Sequence, residues 1–292
     1  MGNLYATGRV VSEGLDSVLN QEFKALDKGF VRVVDYMGND SSIVQAARVS
    51  YGKGTKTTQD DVALIRYLLK HKHTTPFEMC EIKLHIKAPI FIARQWLRHR
   101  TASVNEYSAR YSIIEEEYYV PATENIRKQS SSNKQGRGEA LSTEESQEIQ
   151  NKMDQVTQNC FALYNEFIKI DDNNNELVAK ELARSILPVN IYTQFYWKID
   201  LHNLMHFLRL RCDSHAQYEI REYANIILDL LKLWLPSTYQ AFLDYHINAI
   251  NFSAQEMSML HSMLSQVEVV DKLEGLSMRE YNEFKNKINK GI

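Results

Sequence analysis

Residues 98–112 read RHRTASVNEYSARYS, so the guanidinium groups of Arg98, Arg100 and Arg110 follow one another with only Glu106 as a nearby carboxylate. Guanidinium is planar, permanently charged and presents a donor fork that matches carboxylate and phosphate oxygens. A solvated surface helix would set acids at i,i+4 against such charges. Here the positive charge is largely unmatched, which suits either an anionic ligand such as a phosphate or a solvated, interface-facing segment. A second constellation is Asp200, His202, His206, Arg209 and Arg211. His202, His206 and Arg209 sit at i, i+4 and i+7, on one helical face, while Leu201, Leu204, Leu208 and Cys212 form another. Two histidines at i,i+4 can bind a metal, but there is no intervening Glu as in HExxH and no third ligand nearby. The plainer reading is imidazoles bonding polar neighbours at an interface. Arg184, among Leu182, Ile186 and Leu187, is a third candidate, with a favourable cation at a helix C-terminus as its ordinary alternative. The run Thr74-Thr75-Pro76-Phe77-Glu78 is a fourth, otherwise a helix stop and turn.

These residues need elements to hold them. Residues 29–34 are β-branched and apolar enough for a strand. MGND at 37–40 is turn chemistry, and Ser41 or Ser42 caps a helix through Ala47. A helix follows over about 59–72 with Val62, Ile65, Leu68 and Leu69 on one face, stopped by Thr74-Thr75-Pro76. Cys80, Ile82, Leu84 and Ile86 alternate with charged residues and His85, the pattern of a strand with one apolar face. Ala88-Pro89 closes it and opens the helix PIFIARQWLRHR. The Ser-, Asn-, Gly- and Gln-rich stretch 129–146 reads as a loop insertion. Helices are expected at about 144–169 and 176–187, a strand over 191–198, and a helix LHNLMHFLRLR with Asp200 as N-cap. A long helix over roughly 216–235 and two further helical pieces complete the chain.

The strand 81–87, helix 89–98 and tail RHRTASVNEY repeat, at an offset of 111, in strand 192–198, helix 200–209 and tail RLRCDSHAQY. Both tails fit RxRxxSxxxY, and Pro76 and Pro188 precede the two strands with one residue of slippage. This pattern suggests two pseudo-equivalent halves facing a common site; coincidence between short, Arg-rich helix ends is the alternative.

Composition narrows the class. With 292 residues the chain can bury a large core without staples. Its 34 Lys+Arg against 37 Asp+Glu give a net charge of -3, which argues against a coat for nucleic acid and leaves room only for a local basic pocket. Three scattered cysteines, Cys80, Cys160 and Cys212, make no disulfide framework and no CxxC pair, as suits a reducing compartment. The first residues lack a signal peptide pattern, and Ala6 stands where myristoylation needs Ser or Thr. The longest apolar stretch, 223–235, is broken by Asp229 and Lys232, so no membrane span is expected and the chain reads as cytoplasmic.

RHR followed by seven residues and Ser is the signature of the flavin-dependent thymidylate synthases, and Arg98-His99-Arg100, TASVNEY and Ser108 resemble it in full. The likeness continues through TPFE (75–78), ARQWLRHR (93–100), ELARSILP (181–188), YTQFYWKIDLHNLMHFLRLR (192–211) and DSHAQYEIR (213–221). It implies an α+β fold, a mixed sheet with packed helices, assembled as a homotetramer with sites between subunits. It further implies an N-terminal extension over 1–27, a synthase domain over 28–245 and a helical tail over 246–292. By resemblance, Thr75, Arg98, His99, Arg100, Glu106, Asp200, His202 and His206 would contact FAD. Gln95, Arg98, Glu106, Ser108, Arg110, Arg184 and Arg211 would bind dUMP, with Arg211 contacting the uracil and stabilising charge on it as the catalytic residue. His73, Glu78 and Tyr111 would border flavin and folate, and His206 stands where some members carry Asn.

The implied reaction is reductive methylation of dUMP to dTMP, with 5,10-methylenetetrahydrofolate as carbon donor and NADPH-reduced FAD as hydride donor. No cysteine is placed to add to the pyrimidine, because Cys80 and Cys212 fall on apolar faces and Cys160 lies within a helix. No GxGxxG follows a strand, so FAD is not expected on a dinucleotide fold. Competing readings are an RNA-gripping module using Tyr107 and Tyr111 beside RHR, and a metal-dependent hydrolase using His71, His73, His202, His206 and His215.

Overall fold

The computed structural model describes residues 8–49, 58–131, 136–169, 177–264 and 277–289. The chain divides into two compact units, Met1–Ile247 and Asn248–Ile292. In the first, α1 (Glu13–Asp16), β1 (Glu22–Ala25) and β2 (Gly29–Met37) lead into α2 (Asp40–Val49), α3 (Thr58–Lys70) and α4 (Thr75–Glu78). Then come β3 (Glu81–Pro89), α5 (Ile90–Trp96), β4 (Ser103–Glu106), β5 (Arg127–Gln129), β6 (Arg137–Ala140) and α6 (Thr143–Phe167). The short α7 (Lys180–Ala183), β7 (Tyr192–Asp200), α8 (Leu201–Arg211), α9 (Tyr218–Trp234) and α10 (Pro236–Phe242) complete it.

The main sheet runs β1-β2-β3-β7-β4, and every pairing is antiparallel, so the expected mixed sheet is corrected to an antiparallel one. Parallel strands need a crossover over a sheet face. Here α2–α4 return the chain to the end where β2 finished: Met37, its last residue, stands opposite Glu81, the first of β3. Ile82, Leu84, Ile86 and Ala88 of β3 face the core beside Phe195, Trp197 and Ile199 of β7. Helix α9 covers this face with Ile220, Tyr223, Ala224, Ile227, Leu230, Leu231 and Trp234, spaced three and four apart. A smaller core under α6 gathers Ile114, Tyr118, Phe161, Tyr164, Ile168, Ala183 and Ile191.

Several local expectations change. The lead-in before residue 28 holds α1 and the edge strand β1, which its weak periodicity hid. The first long helix begins at Asp40, with Asn39 as its cap: Asn39 Oδ1 accepts from Ser41 N at 3.0 Å and Ser42 Oγ accepts from Asn39 N at 3.1 Å. Val62 is 40% exposed, whereas Ile65, Leu68 and Leu69 are buried. The stretch 129–146 is not all loop. Its described part contains β6, paired with β5 as a hairpin, and the start of α6, where Ser142 and Glu145 form a capping box; residues 132–135 lie outside the described residues. The expected helix 176–187 shrinks to α7 and one 3-10 turn, Arg184–Ile186; residue 176 is outside the described set.

The second unit holds α11 (Ala254–Leu264) and α12 (Met278–Asn289). Each opens on a reciprocal Ser/Glu pair, Ser253 with Glu256 and Ser277 with Glu280. Among the described residues no helix is long and apolar enough to cross a membrane.

One close approach underlies the sheet–helix packing. Tyr223 Oη of α9 donates to Lys87 O at 2.8 Å directly over Gly29. A Cβ at Gly29 would lie 2.0 Å from that hydroxyl and under 3 Å from Ala25 O (2.7 Å) and Lys87 O (2.8 Å). Two of these neighbours are backbone, so Gly29→Ala should destabilise the fold by about 1–3 kcal/mol, the usual cost of overpacking, read as a lower urea midpoint. An unchanged midpoint would show that the strands part easily.

Candidate active site

The two strand–helix units of the sequence repeat lie side by side. β3 and β7 pair along their whole length, Glu81 opposite Asp200 and Pro89 opposite Tyr192, so positions 111 apart are related by a local two-fold passing between the paired residues His85 and Tyr196. Connectivity and direction agree: each strand feeds a helix, α5 or α8, that begins at an equivalent residue, Ile90 or Leu201. The equivalent residues Trp96 and Phe207 meet, with ring centroids 4.8 Å apart.

Helix α5 buries Ile92, Ala93 and Trp96 and ends there, short of the expected Arg100. His99 N bonds Trp96 O at 3.0 Å, an i→i-3 contact that tightens the last turn. Leu97, Arg98 and Arg100 are exposed, while His99 turns in and stays half-buried. At the other unit Asp200 caps α8 as expected, its Oδ1 accepting from Asn203 N at 3.0 Å. Burial of Leu201, Leu204, Met205, Phe207 and Leu208 leaves His202, His206 and Arg209 on the outer side.

The two tails meet where Arg211 Nε donates to His99 Nε2 at 3.1 Å. His99 is therefore a neutral acceptor. Burial, with Arg211 and His206 beside it, pushes its pKa down to about 4. His206 is 5.9 Å from His99 by ring centroids, and its pKa is also lowered, by burial, Arg209, His202 and Arg211. The result is a positive field built from permanent guanidinium charges and uncharged imidazoles. Arg98, Arg100 and Arg209 have no carboxylate within ion-pair reach among the described residues, so this donor set fits a phosphate-bearing ligand.

Between pH 6.5 and about 4 the unfolded chain would bind a proton at His99 that the folded chain refuses. The stability this residue contributes is thus present above pH 6.5 and lost as pH falls toward 4. Wild-type protein should lose urea resistance over that interval more steeply than His99→Gln. Parallel curves would place His99 in an unperturbed environment.

A cavity of about 520 Å³ opens at the far end of β7. Glu106, Arg184, Thr193, Lys87 and Glu117 line it. Arg110 meets Glu181 at its rim, Nη2 to Oε2 at 2.9 Å, with both side chains more than half exposed. Such a pair contributes about 0–1 kcal/mol, so a dianion can displace the carboxylate. Arg184 donates Nε to Glu181 O at 3.3 Å, and Arg110 N points to Ser108 Oγ at 3.4 Å.

The structure thus sorts the sequence candidates into groups. Glu106, Ser108, Arg110 and Arg184 gather at the cavity, while His99, His202, His206 and Arg211 gather at the helix ends. Thr75 opens α4, which packs on α8 behind Asp200. Gln95 is half-buried on α5, and Tyr111 is 78% exposed. Among the described residues no hydrogen bond, ion pair or ring contact joins the cavity group to the Arg211 group within one chain. No three His, Cys, Asp or Glu side chains among them are placed to hold a metal ion. Sequence reasoning missed Thr193, which donates Oγ1 to Glu106 Oε1 at 2.8 Å. Its signal was a hydroxyl in the core phase of β7, in step with Phe195 and Trp197. It also missed the buried Glu219 and its partners.

Two of the thiols are poorly disposed to ionise. Burial pushes Cys80 and Cys212 up to about 12, with Asp40 and Asp229 adding to it.

Comparison with known proteins gives the same frame a relationship. Residues 32–237 match the family model described as thymidylate synthase complementing protein. The flavin-dependent thymidylate synthase of Ruegeria pomeroyi is 54% identical over 97% of this chain and 93% of its own length. That of Wolbachia pipientis is 51% identical over 98% of both. A UMP/dUMP methylase from Streptomyces cacaoi, solved with 5-Br dUMP, superposes with a TM-score of 0.68 at 29% identity, covering 77% of this chain and 99% of that one. With its arginine-bearing tails, its two-fold strand–helix frame and these relatives, the chain belongs to the flavin-dependent thymidylate synthase family and is an enzyme.

Proposed function

We propose that the protein converts dUMP to dTMP, taking the carbon from 5,10-methylenetetrahydrofolate and the hydride from FAD reduced by NADPH, in cytoplasmic dTMP synthesis. The observation that carries this reading is Arg211, held through Nε by a neutral His99 and left with its two Nη groups free of hydrogen-bond partners among the described residues. A guanidinium fixed in this way can hydrogen-bond a uracil carbonyl and stabilise charge that develops as C5 becomes nucleophilic. With both core-facing thiols held protonated by burial, this polarisation takes the place of thiolate addition.

Arg98, Arg100, His99, His202 and His206, with Thr75, Glu106 and Asp200 flanking, would hold the flavin nucleotide. When bound and reduced, it supplies the hydride. Arg110, Arg184 and Ser108 would take the dUMP phosphate in the cavity, and Gln95 and Arg211 the base. His73, Glu78 and Tyr111 would border the flavin and the folate. Because the cavity group and the Arg211 group do not touch within one chain, the complete site is proposed to form between subunits of a homotetramer. Residues 28–245 are proposed to supply the catalytic body. Oxidation of NADPH that depends on dUMP, in the presence of FAD and methylenetetrahydrofolate, and that yields dTMP tests the reading. Oxidation without dTMP would overturn it.

A further inference from the structure

The base of α9 carries a polar chain whose direction is fixed by charge. Glu219, in the helix's first turn, is only 2% exposed. Arg137, from the β5–β6 hairpin, ion-pairs with its Oε1, and Tyr119 Oη donates to the same oxygen at 3.2 Å. Arg137 is itself placed by Nη1 donating to Asn125 O at 3.1 Å and by the Tyr218 ring, 5.6 Å away. An ionised carboxylate only accepts, so Gln217 must turn its Nε2 to Glu219 Oε2, at 2.9 Å. That leaves Gln217 Oε1 facing α5, and Gln95 Nε2 donates to it. Each amide has one donor end and one acceptor end, so the order passes down the line. Gln95 Oε1 remains, an acceptor with no partner among the described residues.

We propose that Arg137, Glu219 and Gln217 are positioning residues that lock the Gln95 amide with its oxygen toward the substrate. The site would then take a pyrimidine bearing N3–H and reject one whose N3 is a lone pair. This rests on the proposed role of Gln95 at the pyrimidine. The logic is complementarity: an acceptor satisfies the imide N–H of uracil but opposes the bare N3 of cytosine. It also gives the hairpin a task, since Arg137 is the cation that pairs with a buried carboxylate and holds it in place. Without that ion pair the carboxylate loses the partner that fixes it, and both amides downstream are free to turn over.

The test is equilibrium dialysis of dUMP and dCMP on the FAD-loaded enzyme. Wild type should prefer dUMP. Glu219→Gln, Arg137→Met and Gln217→Met should each reduce that preference by about tenfold or more, the worth of one well-placed hydrogen bond, and Arg137→Lys should restore most of it. Gln217→Met leaves the Arg137–Glu219 pair intact, so it reports on the relay even if the charge variants fold poorly. Variants that weaken both nucleotides equally while keeping the preference would overturn the relay and leave the substrate reading standing. Wild-type enzyme that binds neither nucleotide would overturn the substrate reading itself.

Discussion

Arg211→Ala is expected to lower kcat for dTMP formation by about 10²–10³-fold, corresponding to roughly 2.7–4 kcal/mol of lost transition-state stabilisation. The magnitude follows from the half-buried position of the group and from His99 fixing its orientation in advance. A guanidinium that needs no reorganisation at the moment of reaction contributes most when charge develops, and less when neutral dUMP binds. The loss should therefore fall mainly on kcat. Arg211→Lys should not rescue it, because an ammonium cannot use one nitrogen for His99 and two others for the base in one plane. The complementary variant is the triple Cys80, Cys160 and Cys212→Ala, which should still methylate dUMP. If the triple variant bound dUMP and FAD yet made no dTMP while Arg211→Ala remained active, the roles assigned to guanidinium and thiol would be reversed.

Trp96→Ala should destabilise the catalytic unit by about 3–5 kcal/mol, the usual range for deleting a buried indole. Trp96 is fully buried and meets four rings: Phe195 at 5.7 Å, Trp197 at 5.3 Å, Phe207 at 4.8 Å and Tyr223 at 5.8 Å. It joins both strand–helix units and the covering helix α9, so no neighbour can relax into the space without moving an element that carries a site residue. Trp96→Phe should cost much less. Its indole Nε1 is buried with no hydrogen-bond partner among the described residues, and a phenyl ring removes that unsatisfied donor while keeping most of the contact. Urea unfolding distinguishes the two variants. Equal losses would mean that the indole's width, rather than its rings' contacts, sets the packing.

The parts legible in the sequence were those governed by local periodicity and by chemistry close along the chain. Alternation marked β3, Asp200 marked the start of α8, and the 111-residue offset anticipated the paired strand–helix units. The start of α6 was legible too: it falls at Thr143, beside the expected 144, and Ser142 and Glu145, three apart, supply the capping box behind it. The RHR tail reads as helix because its spacing carries no stop signal, whereas α5 ends where its burial ends, at Trp96. What stayed hidden depended on long-range partners. Thr193 gains its meaning only from Glu106, 87 positions away, and Glu219 only from Arg137 and Tyr119. No window along the chain contains such pairs. The separation of Arg211 from the cavity arginines was equally invisible, since the sequence motifs name residues without saying which ones share a chain.

The axis between His85 and Tyr196 has a consequence for how the protein can specialise. Two identical polypeptides related by such an axis would be obliged to repeat every residue: an imidazole at one place would require an imidazole at its mate. A single covalent chain is free of that obligation. His99 has Leu210 as its counterpart, and Gln95 has His206, so one arm offers an acceptor where the other offers grease, and one an amide where the other offers a ring. Symmetry supplies a rigid frame, while continuity of the chain allows its two sides to take on unlike work.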